Sequence, residues 1–247
     1  MMKHITGKAA LLALSMVSAS ALASHWSYEG EGSPEHWGEL DEAYKTCQSG
    51  MNQSPINIDS TANAHLPPLQ THYVDGPVTL TNNGHTIQAS EQANTRDTLT
   101  LDKQTWTLQQ FHFHAPSENT VHGKKYAMEM HLVHKNASGE LTVVAVMFDK
   151  GAANPELEKL WRVMPQQAEQ NVSIKQDLNL NSLLPGDKTY WRFSGSLTTP
   201  PCSEGVTWIV LKHPLTVSAE QLERFTRTMH HDNNRPVQSL HGRVVVE

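Results

Sequence analysis

Residues 111–118 read Phe-His-Phe-His-Ala-Pro-Ser-Glu, and residues 129–134 read Glu-Met-His-Leu-Val-His. In an extended strand, side chains at i and i+2 share a face. His112 and His114 therefore project to one side, and Phe111 and Phe113 to the other. On the second segment Glu129, His131 and Val133 share a face. His134 has the opposite parity and is read as packed or hydrogen-bonded on the back. Pairing the two segments as neighbouring strands brings His112, His114 and His131 within reach of one point. Three neutral imidazoles with one position left over describe an open, catalytic Zn2+ site, whereas a structural zinc site is closed by a fourth protein ligand and usually uses thiolates. A bare His-x-His is a weak signal in a chain with 15 histidines in 247 residues. Its place in an aromatic strand, followed by a third histidine with an in-face glutamate two residues before it, makes the combination specific. One zinc ion per chain is expected. Glu129 is expected to accept the other ring N–H of His131, and Gln110, in-face with His112, to do the same through its side-chain oxygen.

The rest of the chain frames that site. Charged residues are 18% and hydrophobic residues 38%, the formal net charge is −6, and there is neither a basic run nor an acidic tail. Nucleic acid is therefore an unexpected partner. Lys3 and Lys8, the short apolar run Ala9–Val17 and the small-x-small site Ala21-Leu22-Ala23 make residues 1–23 a signal peptide, with 24–247 as one catalytic domain of about 224 residues. The apolar run is too short to span a bilayer, and the cleavage site has no cysteine for a lipid anchor. Export places Cys47 and Cys202, the only two cysteines, in an oxidising compartment, where a disulfide is expected.

Short strands with turn signals between them dominate: Val78–Thr81, Thr98–Leu101, Thr105–His114, Ala127–His134, Leu141–Phe148, Tyr190–Ser196, Val206–Leu211 and Val244–Val246. Two helices stand out. Asn154-Pro155 opens one, with Leu157, Leu160, Trp161 and Met164 as its apolar stripe. Ser218-Ala-Glu-Gln221 is a capping box opening another, with Leu222, Phe225 and Met229 inward. The expected fold class is mainly β, with peripheral helices.

From about His25 to Val245 the chain resembles the α-class carbonic anhydrases. The resemblance is carried by His25-Trp26-Ser27-Tyr28, Pro34-Glu35-His36-Trp37, Gln53-Ser54-Pro55-Ile56-Asn57-Ile58, Asn82-Asn83-Gly84-His85, Gln110-Phe-His-Phe-His114 and Ser117-Glu118. It continues in Glu129-Met-His131, Ser196-Leu-Thr-Thr-Pro-Pro201 and Asn233-Asn234-Arg235-Pro236, all in the family's order. It implies a large, twisted, mostly antiparallel central sheet with the zinc at the bottom of a conical cleft. The implied reaction is reversible hydration of CO2 to bicarbonate and a proton, by attack of zinc-bound hydroxide. Zinc lowers the pKa of its water to about 7, carbonic anhydrase itself being the type case.

The resemblance also assigns roles. Thr198 and Glu118 form an orienting pair, and Thr199 lines the same wall. Val133, Val143, Leu197, Val206 and Trp208 match an apolar CO2 wall. Asn233 stands behind the metal ligands. His85 is the proton shuttle, expected exposed at a turn end with a pKa near 6.5. Inhibition by sulfonamides and small anions is implied, with weak ester hydrolysis as a side activity. Two departures stand out: Phe193 replaces a common tyrosine behind the threonine, and Ile87 and Gln88 differ from the familiar cleft lining. The short segment between His114 and His131 looks like the bacterial branch, which with the signal peptide points to the periplasm of a Gram-negative bacterium, or else to secretion. Three rivals remain: a cupin, with Glu118 as a direct ligand; an inactive binding module of the same family; and a zinc store.

Overall fold

The computed structural model describes residues 25–91 and 97–247. The expected signal peptide, residues 1–23, lies outside the described residues.

Eight strands carry the architecture: β1 (Gly76–Asn82), β2 (Ile87–Glu91), β3 (Gln104–His114), β4 (Met128–Lys135), β5 (Leu141–Lys150), β6 (Gln170–Leu178), β7 (Tyr190–Ser196) and β8 (Glu204–Leu211). They stand in the order β6-β1-β2-β3-β4-β5-β8-β7 in one sheet, which Val245–Val246 and then Thr61–Ala62 extend past β7. The β3–β4 and β4–β5 pairs are antiparallel and β5–β8 is parallel. The sheet is thus mixed but mostly antiparallel, as expected. The expected strands match within three residues at each end. Ile87–Glu91 and Gln170–Leu178 are additional. The second is a sheet edge whose residues are mostly exposed, so it lacks the apolar run that marks a buried strand.

The sheet separates two cores. Behind it, Phe111, Phe113, Met128, Met130, Leu132, Val144, Val146, Phe148, Ile209 and Leu211 belong to one buried cluster. In front, Ile56, Ile58, Val143, Ala145, Met147, Phe193, Val206, Trp208 and Val210 belong to another. Alternation along β4, β5 and β8 produces both. Each fully buried Phe or Leu contributes roughly 1.5–3 kcal/mol.

Strand β3 does not alternate throughout. Leu108 pairs with His134, but Gln110 pairs with Val133, so Gln109 is an unpaired extra residue. This bulge shifts the phase of the strand by one residue. Trp106 and Leu108 before it share the rear core with Phe111 and Phe113 after it, while Gln110, His112 and His114 face forward.

Helices α1 (Pro155–Trp161) and α2 (Ala219–Met229) cover the rear core. The Asn154 side chain accepts from the N–H groups of Glu156 and Leu157, and Ser218 and Gln221 form the expected capping box. Gln221 also ties the helices together: its Oε1 accepts from Asn154 N at 2.9 Å, and its backbone oxygen accepts from the Trp161 indole at 3.0 Å. Trp161 meets Phe113 edge-on at 4.8 Å and stacks on Phe225 at 5.6 Å between centroids. Met164 lies beyond the end of α1 and not on its stripe, yet is buried in the same core. Leu222 is only partly buried.

The segment before residue 50 folds back in short turns. Tyr28, Trp37, Cys47 and Cys202 form a third buried cluster, and Cys47 and Cys202 are joined by the expected disulfide.

Candidate active site

Register delivers the three imidazoles. His112 on β3 lies directly opposite His131 on β4, and His114 lies opposite Glu129. Ring centroids are 5.0 Å apart for His112–His114, 5.3 Å for His112–His131 and 4.6 Å for His114–His131. One nitrogen from each ring converges, all within 4.8 Å of one another.

The partners of the other nitrogens decide which ones converge. Nδ1 of His112 donates to Gln110 Oε1 at 2.8 Å, and Nδ1 of His114 donates to the Asn233 carbonyl at 2.6 Å. Nε2 of His131 donates to Glu129 Oε1 at 2.9 Å. A carbonyl or carboxylate can only accept, so the tautomers leave lone pairs on Nε2 of His112, Nε2 of His114 and Nδ1 of His131. Burial lowers the pKa of all three rings and keeps them neutral, the state a metal ligand requires. Among the described residues, Nε2 of His114 is buried with no hydrogen-bond partner. Three converging neutral imidazoles with an orphaned lone pair fit a zinc ion with one open position. Both ligand-supporting expectations, Gln110 and Glu129, occupy their expected places. Asn233 also stands behind the convergent rings, but it meets His114 through its backbone oxygen, which no side-chain pattern marks.

Behind the rings lie two fully buried carboxylates. Glu129 accepts from Glu118 N and Asn119 N through Oε2, at 2.7 and 2.8 Å, and from Asn119 Nδ2 through Oε1, at 2.7 Å. Burial still pushes its pKa up to about 7. Glu118 is pushed up to about 8, also by burial, against the opposing pull of the Arg235 N–H and the Thr198 hydroxyl. Its Oε1 accepts from Arg235 N at 2.8 Å. Its Oε2 lies 3.6 Å from His114 Nε2 and 3.9 Å from His131 Nδ1, and Glu118 is not in the group whose donor atoms converge. That argues against the cupin reading. A bound dication is the charge that would hold both carboxylates ionised.

The loop bearing Thr198 and Thr199 is pinned from several sides. Trp208 donates its indole N–H to Ser196 O at 2.9 Å, and Cys202 N donates to Thr199 O at 2.9 Å. Gly195 makes the close approach possible, since a Cβ there would lie 2.1 Å from Ser54 Oγ and 2.9 Å from Trp208 Cδ1. Val133, Val143, Leu197, Val206 and Trp208 come together in the front apolar cluster. Val143, Val206 and Trp208 are buried, whereas Val133 and Leu197 are half exposed. Phe193 stacks on Trp208 at 6.0 Å and offers no hydroxyl to the loop.

A cleft of about 120 Å³ opens above His112 and His114, lined also by Trp26, Tyr28, His85, Gln88, Gln110 and Thr199. Gln88 lines it as expected, but Ile87 points into the rear core. The expectation for His85 needs correction. The ring is half buried, stacked on Trp26 at 3.7 Å with planes 12° apart. Burial first, then the charges of His25 and His231, lower its pKa to about 4. The sequence reading missed Trp26 as its cover, Asn119 as the anchor of Glu129, and Arg235 as the anchor of Glu118. Trp26 and Arg235 act across long separations, and Asn119 reaches Glu129 partly through its backbone N–H, so none leaves a local pattern.

The family model for eukaryotic-type carbonic anhydrase matches residues 32–247. The chain is 72% identical over 246 residues to a carbonic anhydrase of Klebsiella pneumoniae, covering 100% of both. It is 52% identical to one of Pectobacterium carotovorum, covering 93% of each. Among solved structures, the α-carbonic anhydrase of Thermovibrio ammonificans in complex with the inhibitor sulfanilamide superposes with a TM-score of 0.88 at 49% identity, covering 91% of this chain and 99% of that one. A central mixed sheet bearing three convergent histidines defines a protein with the donor set to hold a metal ion. The chain belongs to the α-carbonic anhydrase family and is an enzyme of that type.

Proposed function

We propose that this chain hydrates CO2 reversibly to bicarbonate and a proton, with one zinc ion held by His112, His114 and His131. The carrying observation is the convergence of three lone-pair nitrogens whose tautomers are set by Gln110, Asn233 and Glu129. When bound, zinc supplies the Lewis acidity that makes a water nucleophilic near neutral pH.

The protein groups supply orientation. Glu118 spends Oε1 on Arg235 N, which leaves Oε2 for the Thr198 hydroxyl. A hydroxyl that donates to Glu118 can only accept at the centre. Thr198 thereby aims a lone pair of the nucleophile at the substrate and discriminates against anions that have no proton to donate. Val133 and Leu197 offer an apolar surface to a nearly non-polar substrate, backed by Val143, Val206 and Trp208. Thr199 lines the cleft beside them. His85 takes the released proton from the cleft. Sulfonamides and small anions compete for the open position.

The chain is exported to an oxidising compartment, the periplasm of a Gram-negative bacterium, with residues 1–23 removed as a signal peptide. The disulfide supports this. No helix among the described residues is long and apolar enough to cross a membrane.

Stopped-flow CO2 hydration by the purified zinc form tests the reading. Catalysis that a chelator and sulfanilamide both abolish is expected. A zinc-loaded protein without hydratase activity would refute it.

A further inference from the structure

Three imidazoles gather at the cleft mouth, and only one of them lines the cleft. His85 lies on Trp26, and the His25 ring stands 5.4 Å from it. Trp26 meets Tyr28 edge-on at 5.6 Å, and Tyr28 faces His231 at 5.7 Å. The Tyr28 hydroxyl is buried without a partner among the described residues, and Tyr28 lines the same cleft as His85. Nδ1 of His231 donates to the Asp232 carbonyl at 3.1 Å, so Nε2 carries a free lone pair. His231 is half exposed and His25 exposed.

We propose that protons leave the cleft through this array, with His85 as the inner bridge and His25 and His231 as the outer acceptors that pass them to buffer. The route rests on the CO2 hydration proposed above. Each transfer moves one proton and no electrons. A ring-nitrogen lone pair takes the proton, and the donating ring returns to neutral.

The physical reason is that His85 holds a proton poorly. It is half buried, and the charged groups acting on it are the two other imidazoles. Tyr28, which lines the same cleft, stays neutral because burial raises its pKa. An inner base that cannot store the proton needs a route outward, and His25 and His231 are the rings beside it that reach solvent. His231 follows α2 in a segment where no motif marks it.

The test uses the zinc-loaded mature enzyme. In dilute buffer, the His25→Ala/His231→Ala variant, which keeps His85, is expected to lose about twofold or more of kcat with kcat/KM for CO2 unchanged. High imidazole concentrations should restore the loss, which a merely structural defect would not allow. Wild-type kcat in dilute buffer would overturn the route. As a readout independent of turnover, NMR titration of His231→Gln should raise the pKa of His85 by about half a unit, the size of a like-charge interaction near the surface. An unmoved His85 would overturn the coupling. An unmodified enzyme that does not hydrate CO2 would sink the functional reading and the route with it, and the titration would still decide whether the array is coupled.

Discussion

Arg235 holds Glu118 from behind. Its backbone N–H donates to Glu118 Oε1 at 2.8 Å, while its guanidinium donates to Gln53 Oε1, Ser54 O and Cys47 O at 2.9, 2.8 and 2.7 Å. The side chain is 2% exposed and lies over the Trp37 ring at 5.7 Å. One residue thus joins the carboxylate beside the three convergent histidines to the N-terminal segment and the disulfide.

Replacing Arg235 by Ala strands three buried acceptors and removes a cation whose charge acts on Glu118. The expected destabilisation is about 3 kcal/mol, read by urea unfolding, together with a fall in kcat. Arg235→Lys should recover little, because a point ammonium cannot satisfy acceptors arranged for a planar fork. A variant as stable as the parent would show that the segment repacks.

His131→Ala should lose most of its zinc by elemental analysis and nearly all hydratase activity, since two imidazoles do not make an open tetrahedral site. Glu129→Gln touches a ligand and not the metal, so a milder loss of about 10–100-fold in affinity or activity is expected. Full zinc content in the His131 variant would sink the ligand assignment.

The Cys47–Cys202 disulfide spans 155 residues and anchors the loop that carries Thr198 and Thr199. In the chain-entropy model its removal costs up to about 5 kcal/mol. Cys202→Ala should therefore lower Tm well below that of the parent. Thiol titration of the exported, unreduced protein after unfolding should find no free thiol.

His134 sets a pH dependence remote from the metal. Its Nδ1 donates to Leu132 O at 3.0 Å and its Nε2 accepts from the Tyr73 hydroxyl at 2.8 Å. Burial lowers its pKa to about 4. Between the unfolded value of about 6.5 and that folded value, the unfolded chain binds more protons, so stability falls as pH falls through this window. The contribution is about 3 kcal/mol, fully present above pH 6.5 and lost by about pH 4. His134→Gln should flatten the unfolding free energy across that interval. An unchanged slope would assign the acid lability elsewhere.

What could be read from the sequence was periodic. Alternation in 110–114 and 129–134 placed Gln110, His112, His114, Glu129 and His131 on one face and His134 on the other, because both strands are regular there. Caps at Asn154 and Ser218 were legible because capping is local. The roles of Asn119, Arg235 and the Asn233 carbonyl were not, since backbone groups and contacts between distant segments leave no spacing signature. The environment of His85 was misjudged for the same reason: the covering Trp26 is 59 positions away along the chain, and a turn motif does not record what folds over it.

The extra residue at Gln109 gives β3 two independent halves. Gln109 is exposed, its amide reaching only Thr107 O at 3.0 Å, so little besides chain length keeps it there. Deleting it would force a choice. Either Trp106 and Leu108 swing out of the rear core, or His112 and His114 turn into it. The binding half and the packing half of this strand are geared together by one exposed residue that packs in neither core. A single-codon deletion there would be more damaging than most substitutions at the three histidines, since it would misdirect an entire side of the strand at once.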